Sequence, residues 1–78
     1  MQIEVRLFAT LRGYAQSAPR GVLTIDMPEG GTTADLIAKL GINADEVHLL
    51  MVNGLNSPLS QALAEGDRVG LFPPVGGG

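Results

Sequence analysis

The order of apolar patterns along the chain predicts an α+β domain, a small mixed sheet curled over one main helix. Three observations carry that expectation. Two early segments alternate apolar and polar residues with the period of a strand, and a segment with a helix start signal and a helical apolar face follows them. A last strand pattern then runs directly into a proline-proline and glycine tail.

Ile3, Val5 and Leu7 alternate with Gln2, Glu4 and Arg6, the pattern of a half-buried strand. That period is lost from Phe8 onward. Phe8, Leu11, Arg12 and Ala15 stand three and four apart, which predicts a short helix over residues 8–16, interrupted near Gly13. Residues 17–21 read as a turn through Pro19 and Gly21. Leu23, Ile25 and Met27 then alternate with Thr24 and Asp26, a second strand expected to pair with the first by adjacency.

Residues 28–31 close that strand. Thr32 is the expected N-cap of the clearest helix, with Asp35 in the reciprocal capping position, Leu36, Ile37 and Leu40 as the apolar face and Gly41 as the stop. Beyond a polar connector at 43–46, residues 47–52 are strongly apolar. Leu49 and Met51 fall on one face, His48, Leu50 and Val52 on the other. Such a strand is central in a sheet or covered from outside its own core, so Leu50 and Val52 are candidate docking residues if no helix lies over them. Asn53-Gly54 signals a turn, Leu59, Ala62 and Leu63 one helical turn at most, and Glu65-Gly66-Asp67 another turn. Residues 68–72 form the last strand, with Val69 and Leu71 inward.

Composition narrows the function classes. A chain of 78 residues makes one small domain, burying roughly 60% of its unfolded surface, which leaves little room for a deep ligand cavity. There is no cysteine and His48 is the only histidine, so thiolate chemistry and sulfur-ligated metal sites are excluded and no metal or cofactor site is expected. The five bases, Arg6, Arg12, Arg20, Lys39 and Arg68, are dispersed against eight acids. A nucleic-acid backbone finds no basic block there, whereas a net charge of −3 suits a protein partner with a basic surface. No charged leader precedes a long apolar run and no apolar stretch is long enough to span a membrane, so the expected compartment is the cytoplasm.

The candidate chemistry lies in the tail. Phe72-Pro73-Pro74-Val75 precedes Gly76, Gly77 and Gly78. Each proline ring fixes φ and biases its predecessor away from helix, so the exit from the last strand is held extended. Residues 73–78 reach about 20 Å at full extension. Glycine has no Cβ, so Gly77 and Gly78 can enter a narrow partner site and present a carboxylate; an inert frayed end is the competing reading. Other tempting residues have plainer explanations. His48 lacks a second histidine or nucleophile, Asp35 reads as a helix-start residue, and Glu65 and Asp67 read as turn residues. Gly30-Gly31 lacks the lysine and glycine spacing of a phosphate loop. Arg12 and Arg68 are equally consistent with partner ion pairs and with solvated surface positions.

The ordered set Val5-Arg6-Leu7-Phe8-Ala9, Leu11-Arg12, Thr33-Ala34-Asp35-Leu36, Val52-Asn53-Gly54, residues 63–69 and Phe72 through Gly78 resembles the ubiquitin-like sulfur-carrier family of MoaD and ThiS, and within it the MoaD branch, the small subunit of molybdopterin synthase. The resemblance runs the full length. It implies a ubiquitin-like β-grasp domain over 1–72 and an extended diglycine tail over 73–78. It further implies that an E1-like adenylyltransferase of the MoeB or ThiF kind uses ATP to adenylate Gly78. A sulfur donor protein would then leave a C-terminal thiocarboxylate. A MoaE-like large synthase subunit would admit Gly77 and Gly78, with Phe72, Pro73, Pro74, Val75 and Gly76 contacting the partner, and sulfur would pass to a pterin precursor to build a dithiolene. On that reading the chain is a sulfur-carrying subunit with no self-contained active site. Gly76 and Gly13 depart from the residues usual in that branch, alanine-like and glutamate respectively, which keeps open a related carrier for thiamine or tRNA thiolation, or a protein modifier.

Overall fold

The computed structural model describes residues 1–15, 18 and 20–74. Strand β1 (Gln2–Leu7) alternates as expected, with Ile3, Val5 and Leu7 buried beneath the sheet and Arg6 exposed on the opposite face. It pairs antiparallel with β2 (Val22–Asp26), from Gln2 opposite Asp26 to Arg6 opposite Val22. Helix α1 (Thr33–Lys39) crosses to the other half of the chain, followed by β3 (Leu49–Val52), β4 (Leu55–Asn56) and β5 (Arg68–Phe72). The strands form one mixed sheet in the order β2-β1-β5-β3-β4. The last strand is therefore central and lies parallel to the first, Val5 opposite Val69 and Leu7 opposite Leu71.

One face of this sheet packs on α1. Ile3, Val5, Leu7, Leu50, Val52, Val69 and Leu71 join Leu36 and Ile37 of the helix in a single apolar cluster. Each such side chain contributes about 1.5–3 kcal/mol through burial. The helix start is the expected reciprocal cap: Thr32 Oγ1 accepts from the Asp35 N–H, and Asp35 Oδ2 accepts from the Thr32 N–H at 2.9 Å. Thr33, fully buried, is satisfied by donating its hydroxyl to the Pro58 carbonyl at 2.9 Å, so the polar group does not go unpaired in the core.

Several expectations are corrected. Residues 9–15 form a 3-10 helix (Ala9–Ala15) in place of the short helix expected from Phe8. Ala9 sits at φ 52°, a left-handed step that separates Phe8 from the helix, and Leu11 and Ala15 are its buried residues. Of the turn that follows, Ser17 and Pro19 lie outside the described residues. The third strand begins at Leu49, with Leu50 and Val52 facing the core under α1 and Leu49 and Met51 facing outward. Leu50 and Val52 are therefore core residues and not docking residues. Around residues 59–63 the expectation of one helical turn at most holds: a single turn closes with the Gln61 N–H donating to the Pro58 carbonyl at 3.1 Å, Ala62 bridges Thr32 and Leu63 is buried. The polar connector contains a second 3-10 turn (Ala44–Glu46) capped by Asn43.

The Asn53-Gly54 turn takes φ 52° and 82°, the left-handed pair of a tight hairpin. Its asparagine also ties this hairpin to the next turn. Asn53 Nδ2 donates to Asp67 Oδ1 at 2.9 Å, and Asn53 Oδ1 accepts from the Arg68 N–H at 2.9 Å. Asp67 in turn accepts from the Ala64 N–H at 2.8 Å, while its carbonyl accepts from the Glu4 N–H at 3.0 Å. Asn53→Ala removes two of these bonds and places an L side chain with a Cβ and no local hydrogen bonding at positive φ. It is expected to lower stability by about 1–3 kcal/mol, read as a lower urea midpoint at unchanged m-value.

The two 3-10 segments are joined by a hydrogen bond from the Tyr14 hydroxyl to Glu46 Oε2. That bond, some desolvation and the nearby negative charge raise the Tyr14 phenol above its usual 10.0. Because the folded value is the raised one, the contribution to stability is complete below the ordinary phenol range and is lost as pH rises through the folded value. Glu46→Ala should move the ultraviolet titration of this single tyrosine downward, toward 10.0.

Candidate functional site

The site is built on β5, the strand that leads into the tail. Its alternation sends Val69 and Leu71 into the core and leaves Arg68, Gly70 and Phe72 on the outer face, away from α1. Pairing continues to the strand's end on both sides. The Phe8 N–H donates to the Leu71 carbonyl at 3.2 Å, and the His48 N–H donates to the Phe72 carbonyl at 2.8 Å. Pro73 has no N–H to offer the ladder, so the strand stops there, with Pro73 half-buried and Pro74 exposed.

Phe72 is fixed by a second aromatic residue. Its ring stacks on that of Phe8 with centroids 4.2 Å apart and planes 5° from parallel, an arrangement worth about 0.5–1.5 kcal/mol beyond burial. Gly70 makes room for the pair. A Cβ there would lie 3.3 Å from Phe72 Cε1 and 3.6 Å from Phe8 Cε2, so the rings rest over bare backbone in the middle of the sheet. A groove of about 380 Å³ opens beside them on the same face, lined by Arg6, Phe8, Met51, Arg68, Gly70 and Phe72, with the Asn53-Gly54 turn at one side. Its floor is apolar and its edge carries two guanidinium groups, Arg6 being paired with Glu4 at 3.0 Å. That exposed pair adds at most about 1 kcal/mol, so Arg6 remains available to a partner's carboxylate at little cost.

Of the residues expected to act, Phe72, Pro73 and Pro74 form the root of the tail beside this groove. Val75, Gly76, Gly77 and Gly78 lie outside the described residues. His48 is exposed, and its contribution to the tail root is its main-chain N–H. Asp35 caps α1, and Asp67 and Glu65 hold the turn before β5, Glu65 Oε1 accepting from the Gln2 N–H at 2.9 Å. Arg68 borders the groove, whereas Arg12 is exposed on the first 3-10 helix. Among the described residues no group of three or more His, Asp or Glu is placed to hold a metal ion, and no helix is long and apolar enough to cross a membrane.

Phe8, Gly70 and Met51 are site residues that the sequence reading does not single out. The signal was present in the outward half of the strand pattern. Gln2, Glu4 and Arg6 continue by two to Phe8, and Phe72 continues by minus two to Gly70 and Arg68.

A central C-terminal strand, a capped crossover helix and a mixed five-stranded sheet define a ubiquitin-like β-grasp protein. The model of the ThiS family matches residues 5–78, and the chain belongs to that family. It is 35% identical to Protein RnfH of Cereibacter sphaeroides (strain ATCC 17029 / ATH 2.4.9), with 80% of each chain covered. Among solved structures it resembles SAMP1 from Haloferax volcanii at 28% identity and TM-score 0.72, all of both chains being covered. A putative molybdopterin converting factor subunit 1 from Pyrococcus furiosus is 28% identical at TM-score 0.75, over 96% of this chain and 99% of that one. It is also similar, at 25% identity and TM-score 0.63 over the whole of both chains, to a chain in the protein-protein complex of subunits 1 and 2 of the molybdopterin-converting factor from Helicobacter pylori 26695. The protein is thus a ubiquitin-like sulfur-carrier/modifier protein of the ThiS, MoaD and SAMP1 superfamily.

Replacing Gly70 by valine tests the aromatic seat. Overpacking costs about 1–3 kcal/mol and outweighs the strand-propensity gain of at most about 1 kcal/mol. The expected result is a net loss of stability together with changed ring-proton shifts at Phe8 and Phe72 in NMR spectra.

Proposed function

We propose that this chain carries an activated acyl group at Gly78, serving as a ubiquitin-like sulfur carrier and modifier with a rigid body over 1–72 and a delivering tail over 73–78. The observation that carries the reading is the central position of β5. It runs without a linker from the middle of the sheet into Pro73-Pro74 and the glycine tail, beside an apolar groove edged by arginines. An E1-like adenylyltransferase of the ThiF or MoeB kind would attach AMP from ATP to the Gly78 carboxylate, with pyrophosphate leaving. A free carboxylate is a poor electrophile, and AMP supplies its leaving group. Sulfur from a donor protein would then displace AMP and leave a thiocarboxylate. Gly77 and Gly78 would enter the partner's site, while Phe72, Pro73, Pro74, Val75 and Gly76 would line its mouth. The likeness to SAMP1, a small archaeal modifier protein, supports the modifier side of this reading.

A second reading, favoured by the likeness to the Pyrococcus furiosus and Helicobacter pylori subunits, makes the chain the small subunit of molybdopterin synthase. The acceptor would then be a pterin precursor held by a MoaE-like large subunit, and the product a dithiolene.

The intact mass of the endogenous protein, recovered rapidly under conditions that protect thiocarboxylates, tests the common core. The expected result is the gain of one oxygen-to-sulfur exchange mapped to Gly78. Co-recovery of a large synthase subunit would favour the second reading, and isopeptide remnants of Gly78 on other proteins the first. An unmodified terminus from sulfur-replete cells with no adenylyltransferase bound would overturn both.

A further inference from the structure

The two edges of the sheet are not alike. On one side β4 is two residues long, too short to give another chain much to pair with. On the other lies β2, five residues reading Val-Leu-Thr-Ile-Asp. It is rich in strand-forming side chains and holds neither lysine nor proline, two residues that commonly blunt an edge. The phase of its ladder settles which of its main-chain groups are turned outward. The Met1 ammonium donates to the Met27 carbonyl and the Met27 N–H to the Met1 carbonyl, both at 2.7 Å, and the Leu7 N–H donates to the Gly21 carbonyl at 2.7 Å. Leu23 and Ile25 therefore bond to β1, while Val22, Thr24 and Asp26 turn their N–H and carbonyl groups to the open edge. Among the described residues, the one hydrogen bond made on that side runs from Lys39 Nζ to the Asp26 carbonyl, whose oxygen keeps a second lone pair.

This edge is complementary to itself. Laid antiparallel against a second copy about Thr24, it sets Thr24 beside Thr24, Val22 beside Asp26 and Leu23 beside Ile25. All three outward residues of each copy then exchange both of their main-chain bonds. The neighbouring registers do less well. A shift one way brings Pro28, which has no N–H, opposite Val22; a shift the other way brings in Arg20, beyond the left-handed step at Gly21 (φ 70°). On the inner face the half-buried Leu23 and Ile25 of the two copies meet in two apolar pairs. On the outer face Asp26, its side chain 87% exposed, lies diagonally across from the exposed Arg20 of the second copy, and two-fold symmetry makes that opposite-charge pair twice.

We propose that β2 is a self-association edge, joining two copies of this chain through antiparallel Thr24–Thr24 pairing into one continuous sheet. The two-fold axis stands normal to the sheet, so both α1 helices lie on one face and both outer grooves on the other. β1 separates β2 from β5, which leaves Phe72 and the root of the tail clear of the contact. β5 runs antiparallel to β2 and the second copy is inverted, so the two roots at Pro73 leave opposite ends of the joined sheet. Pairing through one edge strand buries far less surface than a permanent dimer does, and the dissociation constant expected is about 0.1–1 mM. The contact involves no residue of the tail, so it stands apart from the acyl-carrier reading.

The test follows the amide spectrum of the nitrogen-15-labelled full chain on dilution from about 2 mM to about 0.05 mM, a range that brackets the expected constant. The amides of Val22, Thr24 and Asp26 should shift along a monomer–dimer isotherm, while the sedimentation mass rises with concentration toward that of two chains. In a mixture of carbon-13-labelled and unlabelled chains, an intermolecular Overhauser contact between Leu23 Hα and Ile25 Hα reports the register, since these two form the close non-hydrogen-bonded pair. Thr24→Pro removes an outward N–H without touching the bonds to β1, and Thr24→Lys sets two like charges side by side. Each should weaken association at least about tenfold with an unchanged circular dichroism spectrum. A single-chain mass at the highest concentration, association that survives both variants, or shifts centred on Phe8, Met51 and Phe72 or on Leu55 would each overturn the proposal. The first of these would leave the edge to a strand from a different protein.

Discussion

The structure depends on the parallel register of β5 against β1. Val5 opposite Val69 and Leu7 opposite Leu71 put the two ends of the chain side by side in the middle of the sheet. Parallel neighbours cannot be joined by a tight turn and need a crossover; here residues 8–67 supply it, and the capped helix on the inner face is part of that connection. The same register decides where the tail begins. A terminal strand at a sheet edge could peel away with few bonds lost, but β5 is held by β1 on one side and β3 on the other. A pull on the chain beyond Phe72 would therefore meet the middle of the sheet directly.

Keeping that register requires the loops at the start of β5 to be placed as firmly as the strand. Asn53 and Asp67 do this with side chains in place of a long ladder, cross-linking the β3–β4 hairpin to the turn before Arg68. The Val52-Asn53-Gly54 and Glu65-Gly66-Asp67-Arg68 segments are thereby one structural device. Their polar residues satisfy backbone donors at the base of the central strand. Thr33 plays the corresponding part under α1, anchoring residue 58 from inside the core.

Most of this architecture was legible in the sequence because it rests on local patterns. Ile3, Val5 and Leu7 announce β1, and Thr32 with Asp35 announces α1 through a cap that involves only neighbours in the chain. The failures arose where tertiary context chose between two local options. Residues 47–52 are apolar on both faces, so periodicity could not say which of Leu50 and Met51 would lie under the helix. The 3-10 segment after Phe8 has helical spacing, yet Ala9 at positive φ detaches Phe8 to stack on Phe72, a contact 64 residues away in sequence that no local signal contains. β4, two residues long, is defined only by its pairing with Met51 and Val52.

The outer face combines two properties that a stable small domain would ordinarily keep apart. A core this thin gains from every apolar side chain it can bury, yet Phe8, Leu49, Met51 and Phe72 are placed on the side without a helix. Gly70 sharpens the point. A glycine at the centre of a sheet costs backbone entropy and offers nothing to pack, and its use here is to leave space for the edges of the two stacked aromatic rings beside the strand that becomes the tail. The stacking energy of that pair, about 0.5–1.5 kcal/mol, is comparable to the cost of the glycine, about 0.5–1 kcal/mol, so stability alone gives little reason for the arrangement. What the arrangement does secure is the direction in which Phe72 hands the chain to Pro73, together with an apolar groove at that point edged by Arg6 and Arg68. The body thus holds that groove and the root of the tail in fixed relation.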